Sequence, residues 1–262
     1  MAEFMGLYKC AGIDIGSRTI KLCVLDEGRI EYKVILPSTF DPMERCREIL
    51  RDIEIKKLVA TGYGRKLFEQ TFSSMDVSTI TEIQAFAIGA FLFYPQARTV
   101  LDIGGQDTKV IALSDDGRVT KFEMNDRCSA GTGKFLEIMA SSMMVPIELF
   151  GTFALKAEKK VVISSMCTVF AQSEVTSLIA RGERGQNIAL GVHQSIIHRT
   201  RAMLSRVSLE PPFLFAGGVA HNVCMCELLK ESVEGEVIIP ENPDFIGAIG
   251  AAWQAQKNYK KI

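Results

Sequence analysis

The sequence predicts an α/β protein of two related lobes that face a shared cleft. Residues 14–16 (Asp-Ile-Gly) precede Lys21, and residues 102–104, with the same three letters, precede Lys109 at the same spacing. Each copy lies between two strand-like segments, so each predicts a strand, a glycine turn and a second strand. No linker or low-complexity segment separates the two halves. This repeated hairpin favours an internal duplication over two coincidental hairpins.

The elements of both lobes are predicted from hydrophobic periodicity and turn residues. Apolar runs predict strands at residues 9–15, 20–25, 29–36, 57–61, 99–103, 108–113, 213–216 and 237–239. Helical spacing predicts helices at residues 42–53, 81–94, 129–144, 168–181, 186–207, 222–233 and from residue 244 onward. The first lobe is predicted to comprise residues 1–95 plus 245–262, and the second to comprise residues 96–244.

Composition excludes several classes of protein. The 262 residues are 47% hydrophobic and 23% charged, with a net charge of −1. A nucleic-acid-binding protein would carry a basic excess or stripe, so no nucleic-acid partner is predicted. No apolar run approaches the roughly 20 residues that span a bilayer, and residues 1–8 lack the pattern of a signal peptide. We therefore predict a cytoplasmic protein without membrane contact.

Most of the seven cysteines are predicted to be structural, because disulfides are rare in a reducing compartment and a free cysteine packs as a small hydrophobic residue. Three lie on apolar strand or helix patterns and two form a C-x-C pair, which is only a weak metal signal: Cys10, Cys23, Cys46, Cys224 and Cys226. The three histidines are interpreted as helix-surface or turn residues and not as ligands: His193, His198 and His221.

The two hairpin turns have the features of a phosphate site. Glycine lets a backbone approach a ligand closely, and successive N–H groups in such turns form an anion-binding nest. Asp14 and Asp102 cannot hold phosphate directly, but they can hold Mg²⁺ through its retained waters. Gln106 is predicted to orient the attacking water, a role that glutamine has in other phosphoryl-transfer sites. These three side chains are the predicted catalytic residues.

A third glycine turn, at residues 217–218, follows an apolar strand and precedes a helix. A strand–glycine–helix step of this kind suits the nucleoside side of a nucleotide. The residues predicted to bind ATP across the three turns are Gly16, Ser17, Arg18, Thr19, Lys21, Gly104, Gly105, Gln106, Gly217, Gly218 and Asn222.

Two other nucleotide-binding motifs are excluded by single residues. Residues 131–134 (Gly-Thr-Gly-Lys) resemble the end of a Walker A loop, but Phe135 stands where serine or threonine is required and Cys128 where the first glycine is required. A Rossmann glycine fingerprint is absent after the first predicted strand.

The three turns, in this order, resemble the acetate/sugar kinase, heat-shock chaperone and actin superfamily. The resemblance implies two actin/ribonuclease-H-like lobes around a nucleotide cleft, with ATP and Mg²⁺ bound between lobes that open and close. It does not decide the function, because one fold hosts many activities.

Two cysteines remain, and each precedes a predicted helix. Cys128 lies in residues 124–133 (MNDRCSAGTG), and Cys167 lies in residues 164–174 (SSMCTVFAQSE). A thiolate before a helix experiences the positive end of the helix dipole, which lowers its pKa and favours an anionic ligand. Iron–sulfur clusters commonly take four thiolates, so the simplest completion is a two-fold dimer with two cysteines from each chain.

These two cysteine motifs resemble the activator components of 2-hydroxyacyl-CoA dehydratases, the ATPase subunits of benzoyl-CoA reductases and the reductases of double-cubane-cluster proteins. The likeness covers essentially the whole chain. It implies one four-iron four-sulfur cluster held by Cys128 and Cys167 at a homodimer interface, with ATP hydrolysis driving low-potential electrons to a partner iron–sulfur dehydratase or reductase. The electron source would be ferredoxin or flavodoxin.

Two other functions remain open at this point. One is a small-molecule or sugar kinase of the same superfamily, with both cysteines structural, which would transfer phosphate to an added acceptor. The other is a non-catalytic, nucleotide-gated binding or chaperone module, which would lack iron and release ADP slowly.

Overall fold

The structure is a computed structural model, and it describes residues 6–164 and 167–259. Over these residues the chain forms two compact units. The first unit takes in the chain up to Ala97, Leu113–Val119 and the chain from Asp244 onward, and the second takes in Arg98–Ala112 and Thr120–Pro243. Each unit has its own sheet and its own hydrophobic core.

The strands of the described residues are, in chain order, β1 Gly6–Ile15, β2 Thr19–Asp26, β3 Arg29–Pro37, β4 Ile53–Thr61, β5 Val77–Thr79, β6 Thr99–Ile103, β7 Thr108–Leu113, β8 Val119–Asn125, β9 Phe213–Ala216 and β10 Val237–Ile238. The helices are α1 Pro42–Leu50, α2 Arg65–Thr71, α3 Glu82–Phe93, α4 Gly133–Ser142, α5 Ile147–Ala154, α6 Thr168–Ala180, α7 Gly185–Val207, α8 Val223–Ser232 and α9 Ile246–Tyr259. The predictions for residues 99–103, 108–113 and 213–216 are confirmed residue for residue.

The two sheets share one strand order. The sheet of the first unit runs β3-β2-β1-β4-β5, and that of the second runs β8-β7-β6-β9-β10. In the first, β1 is antiparallel to β2 and parallel to β4; in the second, β6 is antiparallel to β7 and parallel to β9. The duplication that the two hairpins predict therefore extends to the whole sheets.

Burial follows the position of each strand in its sheet. Every residue of β6 and β7 is buried, as expected for central strands covered on both faces. Strand β3, at the edge of the first sheet, alternates between partly buried and exposed residues. The continuous apolar runs that predict β6 and β7 thus correspond to the core of the second unit.

Side-chain caps begin two helices of the first unit. Asp41 accepts hydrogen bonds of 3.0 Å from the N–H groups of Met43 and Glu44, and Pro42 occupies the first turn of α1. Thr81 and Gln84 form a capping box at the start of α3. Such caps satisfy N–H groups that have no partner within the helix, which is why both helices begin there.

Two predicted helix boundaries and one predicted burial need correction. The helix predicted for residues 42–53 ends at Leu50, because Ile53 begins β4 and pairs in parallel with Gly6 of β1. The helix predicted for residues 129–144 begins only at Gly133. His193, predicted at a helix surface, is fully buried. No bounds were predicted for helices α2 and α5 or for strands β5 and β8.

Among the described residues, no single helix is long and apolar enough to cross a membrane. The pair α4 and α5, bent by 83°, passes the same length and composition test when taken together. Both helices pack apolar side chains, including Phe135 and Phe150, into the core of the second unit.

Candidate functional site

The repeated Asp-Ile-Gly sequence forms an aspartate–lysine ion pair in each unit, and this pair is fully buried only in the second unit. The hairpin register places Asp14 opposite Lys21 and Asp102 opposite Lys109. The lysine Nζ to aspartate Oδ2 distance is 3.5 Å in the first pair and 2.9 Å in the second. Because an unpaired buried charge is costly, each lysine compensates the charge of the aspartate beside it. The seven-residue spacing shared by the two sequence motifs therefore corresponds to an aspartate and a lysine that face each other on adjacent strands.

The two hairpin turns close in the same way. The N–H of Gly16 donates to Thr19 O at 3.1 Å, and the N–H of Gly104 donates to Asp107 O at 2.9 Å. The predicted ATP-binding side chains at the turn tips are exposed: Ser17, Arg18 and Gln106. Exposed side chains on a tightly closed turn are well placed to reach a ligand.

A matching glycine stands beside each aspartate, at the end of the neighbouring parallel strand. Gly62 follows β4 with φ +89°, and Gly217 follows β9 with φ +85°. A Cβ on Gly62 would lie 2.5 Å from Asp14 Oδ1, and a Cβ on Gly217 would lie 2.5 Å from Asp102 Oδ1. Only glycine fits both the positive φ and this close approach of the strand end to the carboxylate. Gly62 was not predicted as a site residue, although its position after β4 repeats that of Gly217 after β9.

The first aspartate has one further polar neighbour, which the sequence prediction also missed. Thr61 pairs in register with Asp14 and is fully buried, and its hydroxyl has no hydrogen-bond partner within the described part of the chain. The register partner of Asp102 is Ala216. Residues in register on adjacent strands present their side chains on the same face of a sheet. The hydroxyl of Thr61 therefore lies on the Asp14 side of the first sheet.

The third glycine turn is followed by a short 3-10 helix, Gly218–His221, and then by α8. Asn222 caps α8, with its Oδ1 accepting the N–H of Met225 at 3.1 Å. Its Nδ2 lies 3.0 Å from Nε2 of His193 on α7. The side chain predicted to bind ATP is thus also the link between this turn and α7.

The buried His193 is held as a neutral ring. Its Nδ1 lies 2.7 Å from Ala189 O, so Nδ1 carries the proton and Nε2 accepts from Asn222. Burial lowers the pKa of His193 to about 4, and the hydrogen bonds to Ala189 and Asn222 only partly oppose this effect. The ring packs on Phe150 of α5 with centroids 4.9 Å apart. His193 is therefore part of the interior, while His198 and His221 are exposed, as predicted.

The Cys128 segment is a loop that is bonded to the second hairpin. The N–H groups of Gly133 and Lys134 donate to Gly104 O at 2.9 Å and to Gly105 O at 2.8 Å. Thr108 Oγ1, just after the turn, donates to Gly131 O at 2.9 Å. The first N–H groups of α4 are thus used by the hairpin. The prediction that Cys128 lies at a helix N-terminus is wrong, because these bonds and the φ of +95° at Gly131 delay the helix.

Cys167 lies at a helix N-terminus, as predicted. It occupies the cap position of α6, and no side chain caps the helix there. Glu174 on α6 accepts hydrogen bonds from Ser164 N at 3.1 Å and from Ser164 Oγ at 3.0 Å, which ties down the chain before the cysteine. Ser165 and Met166, which belong to the quoted motif, lie outside the described residues.

The structure brings the two cysteine motifs together. Ser129 Oγ and Thr168 Oγ1, each next to one of the cysteines, lie 3.0 Å apart. Cys128 and Cys167 are both exposed, whereas the other five cysteines are buried free thiols, as predicted. Burial raises the pKa of Cys23, Cys46 and Cys224 to about 12, so these thiols are poor ligands. Within the described residues, no group of three or more His, Cys, Asp or Glu side chains could hold a metal ion.

Solved structures show the class of this fold. The chain is similar to a ROK family glucokinase from Streptomyces griseus, with a TM-score of 0.61, 15% identity, and coverage of 96% of this chain and 100% of that one. At this identity the likeness concerns the fold alone. Together with the duplicated sheets, it confirms the predicted fold class, an actin/ribonuclease-H-like α/β fold.

Residues 11–255 match the model of the BadF/BadG/BcrA/BcrD ATPase family, and the chain belongs to this family. It is 36% identical to the 2-hydroxyisocaproyl-CoA dehydratase activator of Clostridioides difficile, over 96% of this chain and 98% of that protein. It is 29% identical to a benzoyl-CoA reductase component of Thauera aromatica, over 95% of this chain and 94% of that protein.

Two solved structures are similar over nearly their full length. One is component A of the (R)-2-hydroxyglutaryl-CoA dehydratase of Acidaminococcus fermentans, with a TM-score of 0.89, 35% identity, and coverage of 97% of this chain and 100% of that one. The other is the activator of the 2-hydroxyisocaproyl-CoA dehydratase from Clostridium difficile with bound ADPNP, with a TM-score of 0.87, 34% identity, and coverage of 97% and 96%.

Proposed function

We propose that this chain is an ATP-dependent activator, an ATPase that delivers low-potential electrons from an iron–sulfur cluster to a partner enzyme. The observation that carries the proposal is the pairing of the two exposed thiols, Cys128 and Cys167, through the Ser129–Thr168 contact of 3.0 Å. The loop of Cys128 is also bonded to a turn with the features of a phosphate site. The proposed electron-donor site and the proposed phosphate site therefore lie in segments that are bonded to each other.

The donor set fits a four-iron four-sulfur cluster shared by two copies of the chain. Such clusters take four thiolates, and the two exposed cysteines of each copy complete the set in a homodimer. When bound, the cluster supplies a one-electron donor of low potential. The protein's part is to hold the thiolates: Cys167 at the positive end of α6, and Cys128 on a loop whose C-terminal end is bonded to the second hairpin.

Each hairpin offers groups for MgATP. The carboxylates of Asp14 and Asp102, each beside a glycine turn, are assigned to bind water molecules of the Mg²⁺ shell. The buried hydroxyl of Thr61, which has no partner among the described residues, is assigned to bind one of these waters. Gln106, exposed at its turn, is assigned to orient the attacking water. Hydrolysis then depends on positioning and electrostatics alone.

The partner is assigned by its chemistry. It is an iron–sulfur dehydratase or reductase of the 2-hydroxyacyl-CoA, benzoyl-CoA or double-cubane-cluster type, and the relatives' names support the first two. Ferredoxin or flavodoxin would supply the electrons in the cytoplasm. Neither nucleic acid nor a membrane is part of the proposal.

Iron and acid-labile sulfide analysis of anaerobically purified protein tests the proposal. We expect one four-iron four-sulfur cluster per homodimer, together with ATP hydrolysis. Protein without iron that transfers phosphate from ATP to an added acceptor would support the kinase alternative, and iron-free protein that only retains ADP would support the binding-module alternative.

The hydrogen bond from Thr108 to Gly131 O predicts how nucleotide state reaches the Cys128 loop. In Thr108→Val the side chain keeps its shape but loses this bond, so only the backbone bonds of Gly133 and Lys134 still join the segment to the second hairpin. We expect ATP hydrolysis to persist while the difference between the rates of iron removal by a chelator with ATP and with ADP becomes smaller than in the wild type. In the wild type the two rates should differ about 5-fold or more, the lower end of typical coupling between sites.

Thr99→Val is the matched control for this experiment. Thr99 is another buried threonine of the same sheet, and its hydroxyl bonds to Ser208 Oγ and Glu210 O, away from both cysteines. This variant should keep the nucleotide effect on chelation. A nucleotide effect that is undiminished in Thr108→Val, or that is reduced equally in both variants, would contradict the assigned path.

A further inference from the structure

The long helix α7 carries a half-buried arginine, Arg199, beside the cysteine motifs. Arg199 lines a cavity of about 580 Å³ in the second unit, and Cys128, Gly131 and Arg206 line the same cavity. The Cδ of Arg199 lies 3.7 Å from the place that a Cβ on Gly131 would occupy. Its stem therefore passes directly over the loop that follows Cys128.

The guanidinium of Arg199 has a fixed and partly desolvated position. It lies 5.5 Å from the centre of the ring of Phe135, which is fully buried. Six residues earlier on α7, the buried His193 is bonded to Asn222, so the helix itself is anchored. A cation over an aromatic face, away from bulk water, exerts a stronger field than one on an exposed side chain.

This charge is close enough to both thiols to interact with them. Burial lowers the pKa of Arg199, and the negative charges that Cys128 and Cys167 can carry raise it. An arginine remains protonated in proteins whatever such shifts are, so the positive charge is permanent. Arg199 thus brings a cation to the point where the two cysteine motifs meet.

A second arginine of α7 lines the same cavity but contacts a carboxylate. Arg206 is exposed, and its Nε and Nη2 donate to the carboxylate of Glu123 at 2.9 and 2.6 Å. The two arginines therefore form a natural comparison on one helix.

We propose that Arg199 is a positioning residue of the cysteine site, whose fixed positive charge sets the reduction potential of the cluster that Cys128 and Cys167 hold. The inference rests on the proposed function. Reduction adds one negative charge to the site, and a nearby cation stabilises that reduced state. Loss of the cation must therefore make the potential more negative.

The experiment is an anaerobic redox titration of the full-length, cluster-loaded homodimer, followed by the cluster's spectrum. Arg199→Gln is expected to shift the one-electron equilibrium toward the oxidised form about tenfold, which corresponds to 59 mV. Arg199→Lys keeps the charge and should recover most of the wild-type potential. Arg206→Gln makes the same change of charge on the same helix and should shift the potential far less. Iron and sulfide contents accompany each titration.

The outcomes separate this inference from the proposed function. A wild-type protein without iron and sulfide would overturn the proposed function. Equal potentials in the wild type and in a loaded Arg199→Gln variant, or equal shifts in Arg199→Gln and Arg206→Gln, would overturn the role of Arg199 alone. If Arg199→Gln does not bind the cluster, the result for Arg199→Lys decides. Normal cluster content and a near-wild-type potential in Arg199→Lys would support the role of the positive charge. Failure of both variants to bind the cluster would mean that the guanidinium is only structural.

Discussion

Replacing Cys128 or Cys167 with serine is expected to lower bound iron to background and to abolish the iron–sulfur absorption. Each substitution removes two of the four thiolates that the homodimer would supply, because every ligand occurs once in each copy. Both side chains are exposed, so neither contributes to a hydrophobic core. We therefore expect the thermal unfolding of the apoprotein to be the same in both variants as in the wild type. The measurements are iron and sulfide analysis and a melting curve.

Cys226→Ser is the matched control for these two variants. Cys226 is buried, and its Sγ donates to Ala220 O at 3.1 Å, a bond that a serine hydroxyl can also make. This variant should keep its full complement of iron. A Cys128→Ser or Cys167→Ser protein that retained that complement would remove the cysteine from the ligand set.

The hairpin site was predictable from the sequence because its signals are local. An apolar run that is interrupted by glycine defines the ends of β1 and β6 directly, and the aspartate and lysine of each hairpin face each other across one tight turn. The strand order of each sheet depends on parallel strands that are far apart in the chain. The equivalent positions of Gly62 and Gly217 depend on the same strands. No local pattern contains that information, although the repeat itself could have led to Gly62.

Two helix boundaries show where tertiary contacts override periodicity. Ile53 continues the apolar spacing of α1, but the chain gains more from pairing this residue in parallel with β1. Residues 129–132 continue the pattern of α4, but Gly104 and Gly105 take the N–H groups of Gly133 and Lys134 from outside the helix. In both cases the hydrogen-bonding partner is a backbone segment that is distant in the sequence. Hydrophobic spacing contains no information about such a partner.

Cys128 and Cys167 were predicted to share a site, and the sequence supplied the residues but not the reason for their proximity. Helix dipoles were expected to act on both cysteines, and only Cys167 stands at a helix start. Cys128 comes close through the Ser129–Thr168 contact and through bonds to the second hairpin. The sequence signal for this proximity was the small polar residue that follows each cysteine, Ser129 and Thr168. Arg199 was not found, because a single arginine on a long helix has no pattern of its own.

The buried ion pair of the second hairpin leads to the other large expected effect. Asp102→Asn is expected to lower ATP turnover roughly 10²-fold, the scale seen when one preorganised electrostatic group is removed from an active site. The amide keeps the shape of the carboxylate but loses the charge assigned to the water shell of Mg²⁺. Lys109 remains paired after the change, because its Nζ also lies 2.7 Å from Asp107 Oδ2. The fold should therefore survive, and iron content should not change.

Asp76→Asn is the control, because it removes the same charge from an exposed carboxylate that also pairs with a lysine, Lys57, and it should leave turnover near the wild-type rate. Asp14→Asn tests the first unit in the same way, with Lys21 at a longer 3.5 Å and partly exposed. Turnover should be measured across a range of Mg²⁺ concentrations, because weaker Mg²⁺ binding is partly restored by excess metal. Turnover in Asp102→Asn that equals that of Asp76→Asn at every Mg²⁺ concentration would mean that Asp102 only neutralises Lys109.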